Sequence, residues 1–310
     1  MKKTILTILA FCMLAGTALA QDRIVEVVRP DQIFEKGYIQ VIGESEAGQS
    51  RYRAKRAAEV VAQRRLLEIF QGLRLTGKTT VRDGMLSSDA IRTKVQGTLR
   101  GAAPCGEDFD RTEGYARVCL RLNLHGNDSV YSAFQDIIIK SPKELTLREM
   151  PSFKSEIGLA DIHIVPGPAA NTVAPAPSKE GIQTTAPAAD KIEAAVAVPV
   201  DGIIVDVRDF DFKPALVNRI LTEKNEVLFD PSKVLNQVLI ERGCGGYTTD
   251  LQKAKALLES WGSKSPMILK GQSVQNVTDA VVSATDASAV FAYDQKYNIL
   301  ANAKVVFVLK

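Results

Sequence analysis

Apolar and polar residues alternate with two different periods along the chain, and each period predicts one type of element. Between residues 51 and 71 apolar residues recur at three- and four-residue steps, which predicts a long helix that ends at Gly72. Strict alternation from Tyr115 to Leu124 predicts a strand with one buried face. Segments 37–43 and 73–82 are predicted to form two further strands.

Shorter patterns predict the remaining elements. We expect one helix to begin after Ser87 or Ser88 and another after Asp128 or Ser129, because these residues are good N-caps. In the last third of the chain the predicted strands cover 202–207, 218–222, 226–229, 267–270, 280–283 and 304–309, and helices are predicted at 249–258 and from 285 onwards. Short strands mixed with helices predict an α+β fold.

Residues 166–200 separate two regions of this kind. The segment contains six prolines and ten alanines and has no aromatic residue. Such a composition buries too little apolar surface to offset the entropy of ordering the chain, so we expect a disordered Pro/Ala-rich linker. The predicted domains are one α+β domain over 21–165 and a second, smaller α+β domain over 201–310, and we expect the two to fold separately.

The first twenty residues are typical of a secretory signal peptide. Lys2 and Lys3 precede an apolar segment at 5–15, which is too short to span a bilayer, and small residues at 17–20 form a cleavage site. A retained membrane anchor is the alternative. We predict that residues 1–20 are removed before Gln21 and that the mature protein resides in the periplasm.

Charge and residue usage argue against several classes of function. Removing Lys2 and Lys3 lowers the formal net charge from +3 to +1, so we do not expect a nucleic-acid binder. The two histidines, His125 and His163, have no cysteine or second histidine at metal-ligand spacing. We therefore predict a protein that is not an enzyme, with no catalytic residues, no cofactor and no metal site.

Three cysteines remain after cleavage, namely Cys105, Cys119 and Cys244. In an oxidising compartment this number predicts one disulfide and one unpaired thiol. If the chain reverses around Thr112, residues that face each other have numbers summing to 224, a condition that Cys105 and Cys119 meet. We predict a Cys105–Cys119 disulfide; three reduced thiols are the alternative.

Residues 72–79 fit the phosphate-loop pattern G-x-x-x-x-G-K-[ST] of nucleotide-binding proteins. The chemistry needs a strand before the loop and a helix after it, so that a helix N-terminus faces the phosphates. Here a helix is predicted before the loop and a strand through Thr79–Val81. We interpret the match as a coincidence and expect no nucleotide binding, with Lys78 dispensable.

The predicted long helix is rich in basic residues. They are Arg51, Arg53, Lys55, Arg56, Arg64 and Arg65, against Glu59 and Glu68. The plain interpretation is a solvated face; the functional one is a docking surface for an acidic partner or for the anionic surface of a membrane. We take Arg51, Arg53, Arg56, Arg64 and Arg65 as the candidate partner-binding residues.

Asp206, Asp209 and Asp211 offer a second candidate site, a cluster of carboxylates for acid–base or metal chemistry. If the strand continues, Asp206 and Asp209 lie on opposite faces of the sheet. Turns also concentrate aspartate. We interpret the segment as a strand end followed by a polar turn before Pro214, and keep the cluster as the alternative.

Residues 37–126 resemble a known bacterial domain. The residues that carry the likeness are Ala54 to Gly72 (AKRAAEVVAQRRLLEIFQG), Thr79–Val81, Ile91 to Ala102 and the strand that ends at Gly126. Together they resemble the domain shared by the LPP-twenty lipoproteins and the N-terminal part of flagellar assembly protein T. The second half is similar to the region that follows in longer periplasmic members, through 202–208, 213–216, 266–270 and 304–309.

The resemblance implies a protein associated with the cell envelope, at the outer membrane or the flagellar basal body, and it brings no catalytic residues. Cys12 follows Phe11 rather than a small residue, so a lipid anchor is not expected. We predict a non-catalytic binding or assembly component whose partner is an envelope or flagellar protein. The alternative is a periplasmic ligand-binding protein or hydrolase that uses the carboxylates near Asp206.

Overall fold

A computed structural model of the protein describes residues 25–140, 145, 147–155 and 199–310. The predicted signal peptide at 1–20 lies outside the described residues, as does the predicted linker at 166–200 except for its last two residues. Helices combine with mixed sheets, which confirms the predicted α+β class. Within the described ranges no helix has both the length and the apolar character that a membrane crossing needs.

A three-stranded antiparallel sheet forms the scaffold of the N-terminal half. Helix α1 (Pro30–Lys36) leads into strand β1 (Tyr38–Glu44), and β2 (Ala103–Asp110) and β3 (Tyr115–Asn123) follow later in the chain. β3 lies in the middle, in the order β1–β3–β2. The β1–β3 register runs from Tyr38 opposite Asn123 to Glu44 opposite Arg117.

Helix α2 (Arg51–Gly72) lies across one face of this sheet. Its buried residues recur four apart: Ala54, Ala58, Ala62, Leu66 and Phe70. Because the first three are alanines, the helix can approach the sheet closely at Gly43 of β1. A Cβ atom on Gly43 would overlap the carbonyl oxygen of Ala58 and the amide nitrogen of Ala62. This close contact fixes which face of α2 is covered and which is left to solvent.

The predicted strand at 73–82 is wrong. A single bridge joins Arg74 to Thr80, and helix α3 (Val81–Ser87) begins directly afterwards. The cause is a capping box: the Thr80 hydroxyl accepts a hydrogen bond from the Asp83 amide at 3.2 Å, and the Asp83 carboxylate accepts one from the Thr80 amide at 2.9 Å. Satisfying two amides at this point favours a helix over a continuing strand.

Two more helices lie in the described part of the N-terminal half, and both begin at a predicted cap. Ser88 caps α4 (Asp89–Arg100), accepting a hydrogen bond from the Ile91 amide. Ser129 lies at the start of α5 (Val130–Lys140) and accepts one from the Ser132 amide at 3.2 Å. These caps confirm the predicted helix starts.

The C-terminal half contains two four-stranded sheets and three helices. One sheet consists of β5 (Arg219–Thr222), β6 (Val227–Phe229), β9 (Ser273–Gln275) and β10 (Asp279–Val282). The other consists of β4 (Gly202–Asp206), β7 (Gly246–Thr248), β8 (Pro266–Lys270) and β11 (Val305–Val308). The helices are α6 (Asn236–Arg242), α7 (Leu251–Ser260) and α8 (Ala284–Tyr297), with one 3-10 turn at Pro231–Lys233.

The two sheets differ in how their strands pair. The first has the order β6–β5–β10–β9, with β5 and β10 parallel and both outer pairs antiparallel. The second has the order β7–β11–β4–β8 and is parallel throughout. The antiparallel β5–β6 pair confirms the strands predicted at 218–222 and 226–229.

The two halves pack against each other through one continuous buried cluster of apolar residues. Main-chain hydrogen bonds cross the contact, from the Leu216 and Val217 amides to the carbonyl oxygens of Arg74 and Leu75, each at 3.0 Å. The hydroxyl of the buried Tyr131 donates to the Leu216 carbonyl at 2.9 Å. The domain boundaries stay a prediction, but this shared core favours coupled rather than separate folding of the halves.

His125 lies at this contact between the halves. Its ring stacks on Tyr131 with centroids 5.2 Å apart, and its Nδ1 is buried without a hydrogen-bond partner among the described residues. Burial lowers the pKa of His125 to about 4. The imidazole is therefore neutral in the folded protein at pH values where an exposed histidine is already protonated.

We expect stability to fall in acid because of His125. The folded pKa lies below the ordinary value of 6.5, so the contribution is complete above pH 6.5 and is lost as the pH falls from 6.5 towards 4. The loss at pH 5 should be about 2 kcal/mol relative to pH 7. Urea unfolding of the wild type and of His125→Phe at both pH values checks this, since phenylalanine keeps a ring against Tyr131 and does not titrate. An equal acid loss in both proteins would contradict the prediction.

The predicted Cys105–Cys119 disulfide is present, with the two Cα atoms 5.1 Å apart. The predicted register, in which facing numbers sum to 224, holds for Ala103 and Pro104 but is wrong nearer the turn. From Asp110 opposite Tyr115 to Gly106 opposite Cys119 the facing numbers sum to 225, so the turn is centred half a residue beyond Thr112. A β-bulge between Pro104 and Gly106 accommodates Cys105 as an extra residue and brings its sulfur within reach. Cys244 forms no disulfide with a described residue, as predicted, and the structure shows that it is buried.

Candidate docking surface

The outer face of α2 is largely exposed. The helix has 22 residues, yet it buries a single stripe four residues apart against the sheet. Many of the other positions are exposed, among them Tyr52, which is 81% exposed, and Val60, which is 45% exposed, whereas Leu67 and Ile69 pack partly against the core. A long helix covered on one side offers a broad and rigid surface for a partner.

Three of the five predicted partner-binding arginines are paired within the chain. Arg51 lies 4.0 Å from the Glu107 carboxylate, which Lys55 also contacts. Arg56 pairs with Glu59 one helical turn later at 2.9 Å. Arg65 pairs with Glu26 at 2.7 Å and also donates to the Ile42 carbonyl oxygen. These pairs reduce the positive charge that the basic sequence predicts for this face.

Arg53 and Arg64 form no ion pair with any residue that the structure describes. Both lie on the exposed side of α2. Their positive charges are therefore not offset by a neighbouring carboxylate within ion-pair distance. They are the part of the predicted basic surface that remains able to attract an acidic partner.

Beside Arg64, a groove of about 420 Å³ runs between α2 and the end of α4. The residues that line it are Val60, Gln63, Arg64, Leu66, Leu67, Leu99 and Arg100. Arg100 is exposed and, like Arg64, has no ion pair within the described part of the chain. The groove thus combines aliphatic side chains with one unpaired arginine from each helix.

Sequence reasoning identified Arg64 but missed the groove. Leu99 continues the four-residue spacing of Ile91 and Val95, which predicts a core position, whereas the structure leaves it partly buried beside α2. The contact between α2 and α4 spans more than thirty residues of sequence. A pattern in a short stretch of sequence cannot predict a contact between segments this far apart. The sequence feature that could have indicated the groove is the pair Leu99 and Arg100 at the end of α4.

The phosphate-loop match at 72–79 lacks the surroundings of a nucleotide site. Helix α2 precedes it, and Gly77 lies so close to the 276–278 turn of the other half that a Cβ atom there would overlap the Asn276 carbonyl oxygen. The strand predicted at Thr79–Val81 is wrong, because the seven-residue helix α3 follows the loop instead. Gly77 therefore serves the packing of the two halves. That no nucleotide binds stays a prediction.

The carboxylates near Asp206 are each paired with their own cation. Asp206 accepts hydrogen bonds from Arg208 at 2.6 and 2.8 Å, which hold the pKa of its carboxyl below the usual range. Asp209 pairs with Lys270 at 3.3 Å, and Asp211 with Lys213 at 2.6 Å. A general acid needs a raised pKa, and this arrangement supplies none at Asp206. Across the described residues no three histidine, cysteine or carboxylate side chains come together as a metal site.

Comparison with known proteins places a likeness in the C-terminal half. Residues 202–310, roughly a third of the chain, match the family model of the second domain of Treponema pallidum Tp0624. The matched segment runs from β4 to the end of the chain and includes both four-stranded sheets. No curated protein matches the chain. Helix α2 and the groove beside it lie outside the matched segment.

Proposed function

We propose that this protein is a non-catalytic binding or assembly component of the bacterial cell envelope, and that it docks on an acidic protein partner through the exposed face of α2. The observation that carries the proposal is that two exposed arginines of α2, Arg53 and Arg64, form no ion pair with a described residue, on a long helix that is covered on one side. Charges that lack an internal partner remain available for long-range attraction of an oppositely charged surface.

The location is supported by the disulfide and by the sequence of the N-terminal half. A Cys105–Cys119 bond is typical of a chain that folds in an oxidising compartment. Together with the signal peptide predicted at 1–20, it supports the periplasm. The resemblance of residues 37–126 to the LPP-twenty lipoproteins and to the N-terminal part of flagellar assembly protein T supports a partner at the outer membrane or the flagellar basal body.

Reversing both free charges should abolish docking without unfolding the protein. In the mature protein, Arg53→Glu combined with Arg64→Glu should abolish capture of the partner from an envelope extract, because like charges then face each other. Added salt should weaken wild-type capture in the same way, since exposed charges are screened. Quantitative mass spectrometry of the captured proteins measures both effects.

The matched control reverses two exposed lysines of the other half. Lys255 and Lys264 form no ion pair with described residues, so Lys255→Glu with Lys264→Glu changes the net charge equally. Thermal unfolding of all three proteins tests whether each variant is folded. We expect similar unfolding temperatures, because surface substitutions cost about 0.5 kcal/mol or less. Docking through α2 predicts that the control captures as the wild type does. Equal loss in both double variants would mean that net charge alone decides capture.

A further inference from the structure

We propose that the groove between α2 and α4 binds an amphipathic helical segment of the partner, one that presents an apolar stripe flanked on both sides by acidic residues. The inference rests on the proposed function and names the chemistry that the α2 face recognises. The evidence for this inference is the lining of the groove, to which α4 contributes Leu99 and Arg100 in addition to the residues of α2.

The dimensions of the groove suit a helix. Its α2 wall extends from Val60 to Leu67, two helical turns. A partner helix lying along this wall would present apolar residues three and four apart to the aliphatic side chains of the groove, which is the usual way a helix binds in a groove. A volume of about 420 Å³ holds several large aliphatic side chains.

The charged side chains at the rim of the groove favour a partner with negative charge. Arg64 belongs to α2 and Arg100 to α4, so each helix contributes one unpaired guanidinium beside the aliphatic side chains. Glu68, one turn after Arg64, is exposed and forms no ion pair with it. A helix with carboxylates on either side of its apolar stripe would pair with both arginines, whereas a helix with flanking lysines would be repelled.

Val60 supplies a second reason for an apolar occupant. At 45% exposure it is one of the large apolar side chains that the fold leaves uncovered, and it borders the groove rather than the core. Covering an exposed aliphatic group contributes to binding through the area removed from water. Substituting Val60 should therefore affect binding and leave folding unchanged.

Two synthetic helical peptides test the groove directly. Both carry the same leucine stripe; one flanks it with glutamates and the other with lysines. Fluorescence anisotropy with the mature protein should show binding of the glutamate peptide, and binding of the lysine peptide should be at least about tenfold weaker. Arg100→Glu and Val60→Glu should each weaken binding of the glutamate peptide by about tenfold, while Lys255→Glu should leave it unchanged.

Several outcomes would overturn the proposal. Equal binding of the two peptides, or binding that Arg100→Glu does not alter, would exclude the groove as an acidic-helix site. If sedimentation shows a wild-type dimer that Val60→Glu dissociates, the occupant is a second copy of the chain. If vesicles of anionic phospholipid bind in an Arg100-dependent way and the peptides do not, the occupant is a membrane.

Failure of the groove and failure of the proposed function are distinguishable in the capture experiment. Arg53→Glu with Arg64→Glu tests the whole α2 face, whereas Arg100→Glu and Val60→Glu test the groove. Loss of capture in the first variant, with full capture by the other two, would leave the proposed function intact and exclude the groove. Full capture by all the variants would exclude both.

Discussion

Replacing Asp279 with alanine should lower the free energy of unfolding by about 3–5 kcal/mol, since the change leaves a buried arginine without its counter-charge. Asp279 and Arg219 face each other at the start of the parallel β5–β10 pair, and both side chains are 5% exposed. Arg219 donates to the carboxylate at 2.7 and 3.4 Å, and Asn276 donates at 3.0 Å. Urea unfolding of the wild type and of the variant measures the difference.

Two further variants separate this effect from others. Replacing both partners, with Arg219→Met and Asp279→Leu, should restore much of the lost stability because no unpaired charge remains buried. Asp211→Ala removes a carboxylate that is paired at the surface, and stability should not change measurably. If Asp279→Ala lost less than about 1 kcal/mol, the pair would not be buried as described.

Gly43→Ala should be one of the most damaging single-methyl additions in the N-terminal half. The new Cβ would overlap main-chain atoms of Ala58 and Ala62, so α2 must move away from the sheet. Overpacking of this kind costs about 1–3 kcal/mol, and we expect the upper end because main-chain atoms cannot move aside as a side chain can. Thermal and urea unfolding measure the loss.

Gly97→Ala is the matched control, because it adds the same methyl group with nothing within 4 Å. Gly97 lies inside α4, where alanine is the better helix former. We expect it to stabilise the protein by about 0.5–1 kcal/mol. Opposite signs for the two substitutions would confirm that close contact between α2 and β1 causes the effect at Gly43. Equal effects would contradict it.

Local patterns predicted the elements well where one face of the element is buried. Alternation predicted β3 to within one residue, and the three- and four-residue spacing predicted α2 from Arg51 to its end at Gly72. Both patterns depend on contact with a single core, so the period of apolar residues carries the information. The Cys105–Cys119 disulfide could also be predicted from the sequence, because a hairpin brings together residues on either side of its turn.

The errors arise where a side chain overrides the pattern. The helix start at Val81 depends on the Thr80–Asp83 capping box, which outweighed the β-branched run before it. The hairpin register shifted by one because Cys105 sits in a bulge, which alternation cannot reveal. The helix predicted at 249–258 begins only at Leu251, because Asp250 caps α7 through its carboxylate.

Contacts between segments that are distant in the sequence could not be predicted from local patterns. The basic residues of α2 were evident, but their partners were not: Glu26 lies 39 residues from Arg65, and Glu107 lies more than fifty from Arg51. Only the folded chain divides the arginines into paired and unpaired ones. The shared core of the two halves was missed for the same reason, since Tyr131 and Leu216 are 85 residues apart.

The central claim is that the exposed face of α2 docks on an acidic envelope partner, and its most direct test is the amount of that partner captured by Arg53→Glu/Arg64→Glu relative to Lys255→Glu/Lys264→Glu. Docking through α2 predicts that the first variant loses the captured protein at low salt and that the second retains it. Equal capture by the two variants, with both folded, would contradict the claim.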